Sequence, residues 1–261
     1  MPDAVCIDHE LEYGVGYSTE FSFSENEVQK ILAFIRAQWL ERIEQFAPEH
    51  LITFSSIPIQ EYHKFAHILD HGVMWKKEAR MLPKFAVEEI RTMSLIRQLE
   101  NEYGHFEIVD EEKIGYEEID WRLVRPNEPS DIGPFHADAW FRALGHGANP
   151  GKNKKAIKVW VALCCEPGLN GLRVLPNSHK KEWRYHGEFR HSFVKPKINE
   201  DIELHSPVLL NTKPGNAVIF HEKLLHAGAL NRGQYTRISM ELMLFVDNPP
   251  CSATASIGVS E

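Results

Sequence analysis

The spacing of hydrophobic residues changes once along this 261-residue chain, near residue 105, and that change bounds the folds open to it. Before it, Val28, Ile31, Leu32, Ile35, Trp39, Ile43 and Phe46 recur at helical spacing, one stripe of an amphipathic helix. Ser24 followed by Glu27 reads as a capping box at its start, because each side chain can satisfy a free backbone N–H. Val87, Ile90, Met93 and Leu99 predict a second long helix closed by Gly104 as a left-handed cap, with shorter helices over 61–71 and 74–81 between the two. After residue 105 come short β-branched runs broken by Gly, Pro and Asn, at 105–109, 121–125, 157–163, 172–175, 208–210, 217–220 and 237–246. Helices followed by about seven strands imply an α+β chain, a β-sandwich or barrel buttressed by helices on one side. The expected organisation is one domain over 1–261, with 1–104 mostly helical support and 105–248 the β core.

Composition narrows the function classes. No apolar run approaches the roughly 20 residues that span a bilayer, and the acidic start MPDAVCIDHELEYG has no signal-peptide core. A net charge of −8 argues against nucleic acid as a partner. Cys6, Cys164, Cys165 and Cys251 form no CxxC pair; adjacent Cys164 and Cys165 sit in an apolar run and read as reduced core thiols of a cytoplasmic protein. The charge is uneven, however: Arg142 to His191 holds ten Lys/Arg against three Asp/Glu. That is either a solvated face or the receptor of an anionic ligand.

Chemistry enters with Pro134-Phe135-His136-Ala137-Asp138-Ala139-Trp140. On a strand, His136 and Asp138 would point to one face and could reach one cation, and imidazole with carboxylate suits a divalent first-row metal. Alone the pattern is weak. A second cluster follows: Lys213-Pro214-Gly215 turns into the apolar run 217–220, then come His226-Ala227-Gly228 and, with ten residues between His226 and it, Arg237, which opens Arg237-Ile238-Ser239. Two histidines and an aspartate on one face of a six-coordinate ion leave three positions open, the arrangement of non-haem Fe(II) oxygenases. A bidentate 2-oxo acid takes two of them and leaves one for O2. Its distal carboxylate then needs a buried cation with forked donors; Arg237 suits, with Ser239 facing the same way to donate a hydroxyl hydrogen bond.

From about Trp121 to Val246 the chain resembles the phytanoyl-CoA dioxygenase family of Fe(II)/2-oxoglutarate oxygenases. The match runs through His136-Ala137-Asp138, Val159-Trp160-Val161-Ala162-Leu163, 170–179 (NGLRVLPNSH), 215–220, His226, Asn231 and Arg237. The resemblance implies a double-stranded β-helix, a jelly-roll or cupin-like barrel. It also implies iron bound by His136, Asp138 and His226, 2-oxoglutarate anchored by Arg237, and O2 as the second co-substrate. His221 competes with His226, but His226 lies at the family's distance from Arg237 and precedes Ala-Gly. Where the family has Pro-Gly-Ser-His, this chain has Pro-Asn-Ser-His; Asn177 tolerates the left-handed conformation, so the turn should survive. In the halogenating branch of such enzymes Ala or Gly replaces the carboxylate. Asp138 therefore points to hydroxylation, with release of succinate and CO2.

The substrate is expected to be a small molecule. Residues 139–155 leave the metal motif aromatic, turn glycine-rich at Gly145, Gly147 and Gly151, and end basic at Lys152, Lys154 and Lys155. They form either a lid over the substrate, with Trp140, Arg142 and His146 as its contacts, or an ordinary surface loop. Lys180, Lys181, Trp183, Arg184 and Tyr185 make a second basic-aromatic segment. Were both to flank the opening, the substrate would be acidic. Two rivals stand beside this reading: a cupin-like Zn or Mn hydrolase or isomerase, and a catalytically silent binding relative. Neither has a physical need of Arg237 and Ser239.

Overall fold

The computed structural model describes residues 7–190 and 193–248, so Cys6, Cys251 and His191 lie outside the described residues. A short helix α1 (Ile7–Glu12) leads to β1 (Tyr17–Ser18) and then to α2 (Glu25–Phe46), the longest helix. The capping box forms: Ser24 Oγ accepts from the Glu27 amide, and the Glu27 carboxylate accepts from the Ser24 amide at 2.9 Å. Val28, Ile31, Leu32, Ile35, Trp39 and Ile43 are buried as their spacing requires. Phe46 is the exception. It is 55% exposed in the last turn, where the Arg42 guanidinium lies over its ring.

Two short helices, α3 (Leu51–Ser55) and α4 (His71–Met74), with 3-10 turns around them, occupy the region to residue 80. The expected second long helix is two helices, α5 (Lys84–Arg91) and α6 (Ser94–Tyr103). A tertiary contact accounts for the break: the Glu27 carboxylate on α2 takes both the amide (2.7 Å) and the hydroxyl of Ser94, which starts α6 afresh after extended Met93. Gly104 closes α6 with positive φ but extended ψ (71°, −162°), a region essentially reserved for glycine, rather than the left-handed helical cap expected.

Glu27 thus serves two helices. Burial pushes its carboxyl up, but the Ser94 hydroxyl and the Ser24 and Ser94 amides outweigh burial and bring it down to about 2. A carboxyl depressed in the folded state stabilises above its unfolded value and loses that contribution as pH falls toward the folded one. Glu27→Gln should therefore lower the thermal midpoint at pH 7 and flatten the fall in stability between about pH 5 and 2. Thermal melts across that range check both.

The strands are β2 (Glu107–Ile108), β3 (Asp120–Val124), β4 (Lys154–Cys164), β5 (Leu172–Val174), β6 (Tyr185–Arg190), β7 (Phe193–Ile198), β8 (Val208–Leu209), β9 (Ala217–His221), β10 (His226–Gly228) and β11 (Arg237–Asp247). All pairings are antiparallel. One sheet runs β1-β9-β4-β11, with β3 and β2 sharing the far edge of β11; a second runs β10-β5-β8; β6 and β7 form a separate hairpin.

The period-2 alternation of the large sheet divides its residues cleanly. Ile157, Val159, Val161 and Leu163 of β4, with Ile238, Met240, Leu242, Leu244 and Val246 of β11, pack into the helices in one continuous core. Trp160, Ala162, Val218 and Phe220 face the other way and meet Leu172 and Val174 of the small sheet. The fold is α+β, a double-stranded β-helix with helices on one outer face, and its inner face is left for the site. Cys164 and Cys165 are free thiols that burial pushes up to about 12, inert core sulfurs as expected. Among the described residues no helix is long and apolar enough to cross a membrane.

Candidate metal centre

His136 and His226 meet through their backbones. Each amide donates to the other's carbonyl (3.1 and 3.0 Å), a single antiparallel bridge that joins the chain before the metal motif to β10. Asp138 does not continue a strand from His136, contrary to the expectation that both project from one strand face. Ala137 is extended, and Asp138 is the first residue of helix α7 (Asp138–Ala143). There its carboxylate benefits from the positive helix end, and the turn, rather than strand alternation, swings it back toward the imidazoles.

The arrangement has the geometry of an ion-binding cluster. One ligand atom from each of His136, Asp138 and His226 lies within 4.8 Å of the other two, the one such group found among the described residues. Each histidine's Nδ1 lies against a backbone carbonyl two residues back, Pro134 at 2.9 Å and Leu224 at 3.0 Å. A carbonyl can only accept, so Nδ1 carries a proton and Nε2 is the nitrogen left for a ligand. Both Nε2 atoms face Asp138, at 3.9 Å from Oδ1 and Oδ2 respectively. Burial, then the neighbouring His226, takes His136 down to about 4, so it stays neutral at physiological pH, the state a metal requires. Burial pushes Asp138 up, but the Lys158 ammonium outweighs it and holds the carboxyl below its usual value.

The supporting contacts fix this geometry. Leu225 N donates to Ser178 Oγ (2.8 Å), anchoring the residue before His226. Ser178 follows Asn177, which takes the left-handed conformation expected of it (φ 65°). His221 is elsewhere: its Nε2 lies 3.6 Å from Glu12 of α1, and its ring packs on His179.

A cavity of about 40 Å³ adjoins the two histidines, and its wall includes Arg122, Lys158, Trp160, Arg237 and Glu241. Arg237 is 2% exposed; it gives one hydrogen bond to Gly171 O (2.6 Å), its Nε has no partner, and no carboxylate lies within 4 Å of it among the described residues. Ser239 Oγ, on the same strand face and fully buried, is also without a partner. Buried polar atoms are rarely left so, and each costs about 1–3 kcal/mol when unsatisfied. This pair marks a place for an anion.

The sequence reading missed Arg122, Lys158 and Glu241. Arg122 pairs with Glu241 at 2.8 Å, and Lys158 lies 3.7 Å from the same carboxylate. Their signal was visible: each is a charged residue with apolar residues on both sides in its strand, on the face opposite the helix-packing residues.

The three expected substrate contacts stand apart from the cavity wall. Trp140 stacks on Tyr185 (4.4 Å between centroids), Arg142 is ion-paired with Glu222, and His146 Nε2 lies 2.7 Å from Val194 O. The basic segments are likewise engaged. Lys154 faces Glu107 and Lys155 joins Asp8 and Glu12 of α1, while Lys180 donates to Tyr13 O.

Residues 23–239 match the family described as Phytanoyl-CoA dioxygenase (PhyH). No curated protein matches the chain. Among solved structures it is similar to the non-heme monooxygenase ThoJ in its apo form (14% identity, TM-score 0.58, over 94% of this chain and 78% of that one). The nickel complex of ThoJ aligns over the same shares at 14% identity and TM-score 0.54. EctD from S. alaskensis, also apo, gives 15% identity and TM-score 0.51 over 94% and 79%. At such identities the likeness is one of fold.

Proposed function

This chain belongs to the phytanoyl-CoA dioxygenase family of Fe(II)/2-oxoglutarate oxygenases, and on that premise we propose that it is a working hydroxylase of a small molecule. Its iron ligands are His136, Asp138 and His226, its 2-oxoglutarate anchor is Arg237 assisted by Ser239, and the helices and β core act as one catalytic unit. The observation that carries the reading is the coincidence of the ligand cluster with a buried guanidinium that has no counter-ion among the described residues. A metal hydrolase or a silent relative could use the first but has no need of the second.

The residues fit the groups. Two imidazoles with Nε2 turned to the cluster and one carboxylate offer three ligands and would leave the remaining positions of a six-coordinate ion open. Bound there with 2-oxoglutarate and O2, iron supplies C–H hydroxylation coupled to oxidative decarboxylation, releasing succinate and CO2. Arg237 binds the distal carboxylate through its forked donors and replaces the water that end would otherwise keep. The Nδ1 contacts to Pro134 O and Leu224 O hold the imidazole planes toward the ion. Phe220 and Trp160 exclude water from the inner wall.

Anaerobic titration with Fe(II) and then 2-oxoglutarate should produce a visible metal-to-ligand charge-transfer band saturating at one equivalent each. Iron-loaded, folded protein that never shows the band would refute the chelation and, with it, the oxygenase assignment.

A further inference from the structure

Part of the cavity wall comes from the segment 125–135 that joins β3 to His136: Asp131, Ile132 and Gly133 all line the cavity. Gly133 is also exposed, so the wall is one chain thick there. Its neighbour Ile132 stands beside the Arg237 guanidinium. A Cβ on Gly228 would meet Arg237 Nη1 and Nη2 at 3.4 and 3.5 Å and Ile132 Cγ2 at 3.6 Å, so both side chains border the space this glycine leaves open. Gly171 O takes the hydrogen bond from Nη1. Ile132 therefore belongs to the enclosure in which Arg237 is only 2% exposed.

The segment has no strand or α-helix of its own, only a 3-10 turn at Pro129–Asp131. Its start is tied by Asn127 N to Asn231 O (2.7 Å), and its end by the His136–His226 bridge. The stretch between, which carries Ile132 and Gly133, is held by Asp131. That side chain is 1% exposed; it accepts from Arg125 N at 2.8 Å and from the Arg125 guanidinium as a fork, Nε at 2.9 Å and Nη2 at 2.7 Å. His71 of α4 lies 3.5 Å from the same carboxylate and meets Tyr62 Oη at 3.0 Å through its other ring nitrogen, which ties the loop to the helical layer. Two parallel charge-assisted hydrogen bonds fix direction as well as distance, so the fork sets where residues 131–133 stand.

We infer that Asp131 is a positioning residue for 2-oxoglutarate: through its fork with Arg125 it holds Ile132 and Gly133 beside Arg237 and keeps water from the guanidinium. This rests on the oxygenase reading given above, in which Arg237 receives the distal carboxylate. A charge pair shielded from solvent attracts more strongly than one that water reaches. The iron ligands lean on the fork less. His136 is joined to His226 by two backbone hydrogen bonds (3.1 and 3.0 Å), which hold it whether or not the wall is loosened. A loosened wall should therefore cost 2-oxoglutarate affinity and spare iron affinity.

The test uses the whole chain carrying Asp131→Asn, Arg125→Lys, or the two combined. Each is compared with the parent by thermal midpoint, by anaerobic Fe(II) binding, and by 2-oxoglutarate titration of the iron-loaded protein at the charge-transfer band. Asp131→Asn should raise half-saturating 2-oxoglutarate about tenfold, roughly 1.4 kcal/mol, with Fe(II) affinity within about threefold of the parent. Arg125→Lys keeps the charge but cannot form the fork, so it should act in the same way, and it decides the matter should Asp131→Asn not fold. The combined variant should bind 2-oxoglutarate no more weakly than the weaker single one, because all three break the same interaction. Ile132→Ala, with the fork intact, should weaken binding in the same direction. Parent-like half-saturation in either folded single variant overturns the inference, as do additive losses in the combined one. Equal losses of iron and 2-oxoglutarate also overturn it, because the fork would then serve the fold and not the anchor. Absence of the band in the iron-loaded parent overturns this inference and the oxygenase reading together.

Discussion

Asp138→Ala should abolish succinate formation while leaving the chain folded. Asp138 is one of the three clustered ligands, and its Oδ2 has no hydrogen-bond partner within the protein, so that oxygen is left for an ion. The Lys158 ammonium favours the ionised carboxylate, so the apo protein should lose a little stability with it. Removing it takes away one of three ligands, a heavier loss than the roughly 10- to 100-fold lost when a group hydrogen-bonded to a metal ligand is changed. Iron retained after gel filtration, succinate formed per minute and the apo thermal midpoint measure it together. An Asp138→Ala protein that holds iron and forms succinate like the parent would show that the cluster is not the catalytic centre. A drop in apo midpoint of many degrees would show that Asp138 is structural instead. His221→Ala is the matching control, because His221 lies on Glu12 and not on the ion.

The parts of this site that were legible in the sequence are those fixed by local order. The spacing from His226 to Arg237 is legible because β10 and β11 are joined by a short connection and each residue opens its strand. The capping box at Ser24 is likewise a four-residue event. What the sequence hid depends on tertiary partners. His136-Ala137-Asp138 reads as alternation along a strand, yet the chain bends into α7 because His136 pairs with only one residue, His226, before leaving the sheet. Helices α5 and α6 share one hydrophobic period, and only the Glu27 carboxylate from another helix separates them. The β6–β7 hairpin is mostly exposed and carries Pro196, so it has neither the alternation nor the composition by which strands are recognised. Lys158, Arg122 and Glu241 broke the apolar pattern of their strands. A charge in the middle of a buried strand is itself a signal of a site on that face.

Arg237→Ala should raise the 2-oxoglutarate concentration needed for half-saturation by about 100-fold or more, since unpairing a buried ion pair costs about 3–5 kcal/mol. Iron affinity without 2-oxoglutarate should hardly change, because Arg237 touches Gly171 O and the Trp160 ring and none of the ligand cluster. Arg237→Lys should recover only part of the loss: a single ammonium keeps the charge but cannot present two parallel N–H donors to a carboxylate. Ser239→Ala should weaken binding by only about 1 kcal/mol, the worth of one hydroxyl hydrogen bond. Titration of the charge-transfer band gives all three constants on one scale. Equal half-saturation in Arg237→Ala and the parent would place the distal carboxylate elsewhere, and Lys158 or Arg122 would then be the cations to examine. The graded order Ala, then Lys, then Ser239→Ala is the more demanding test. Charge alone would make Arg237→Lys harmless, whereas shape alone would make it as damaging as alanine; the guanidinium's unpaired Nε beside an unpaired hydroxyl requires both.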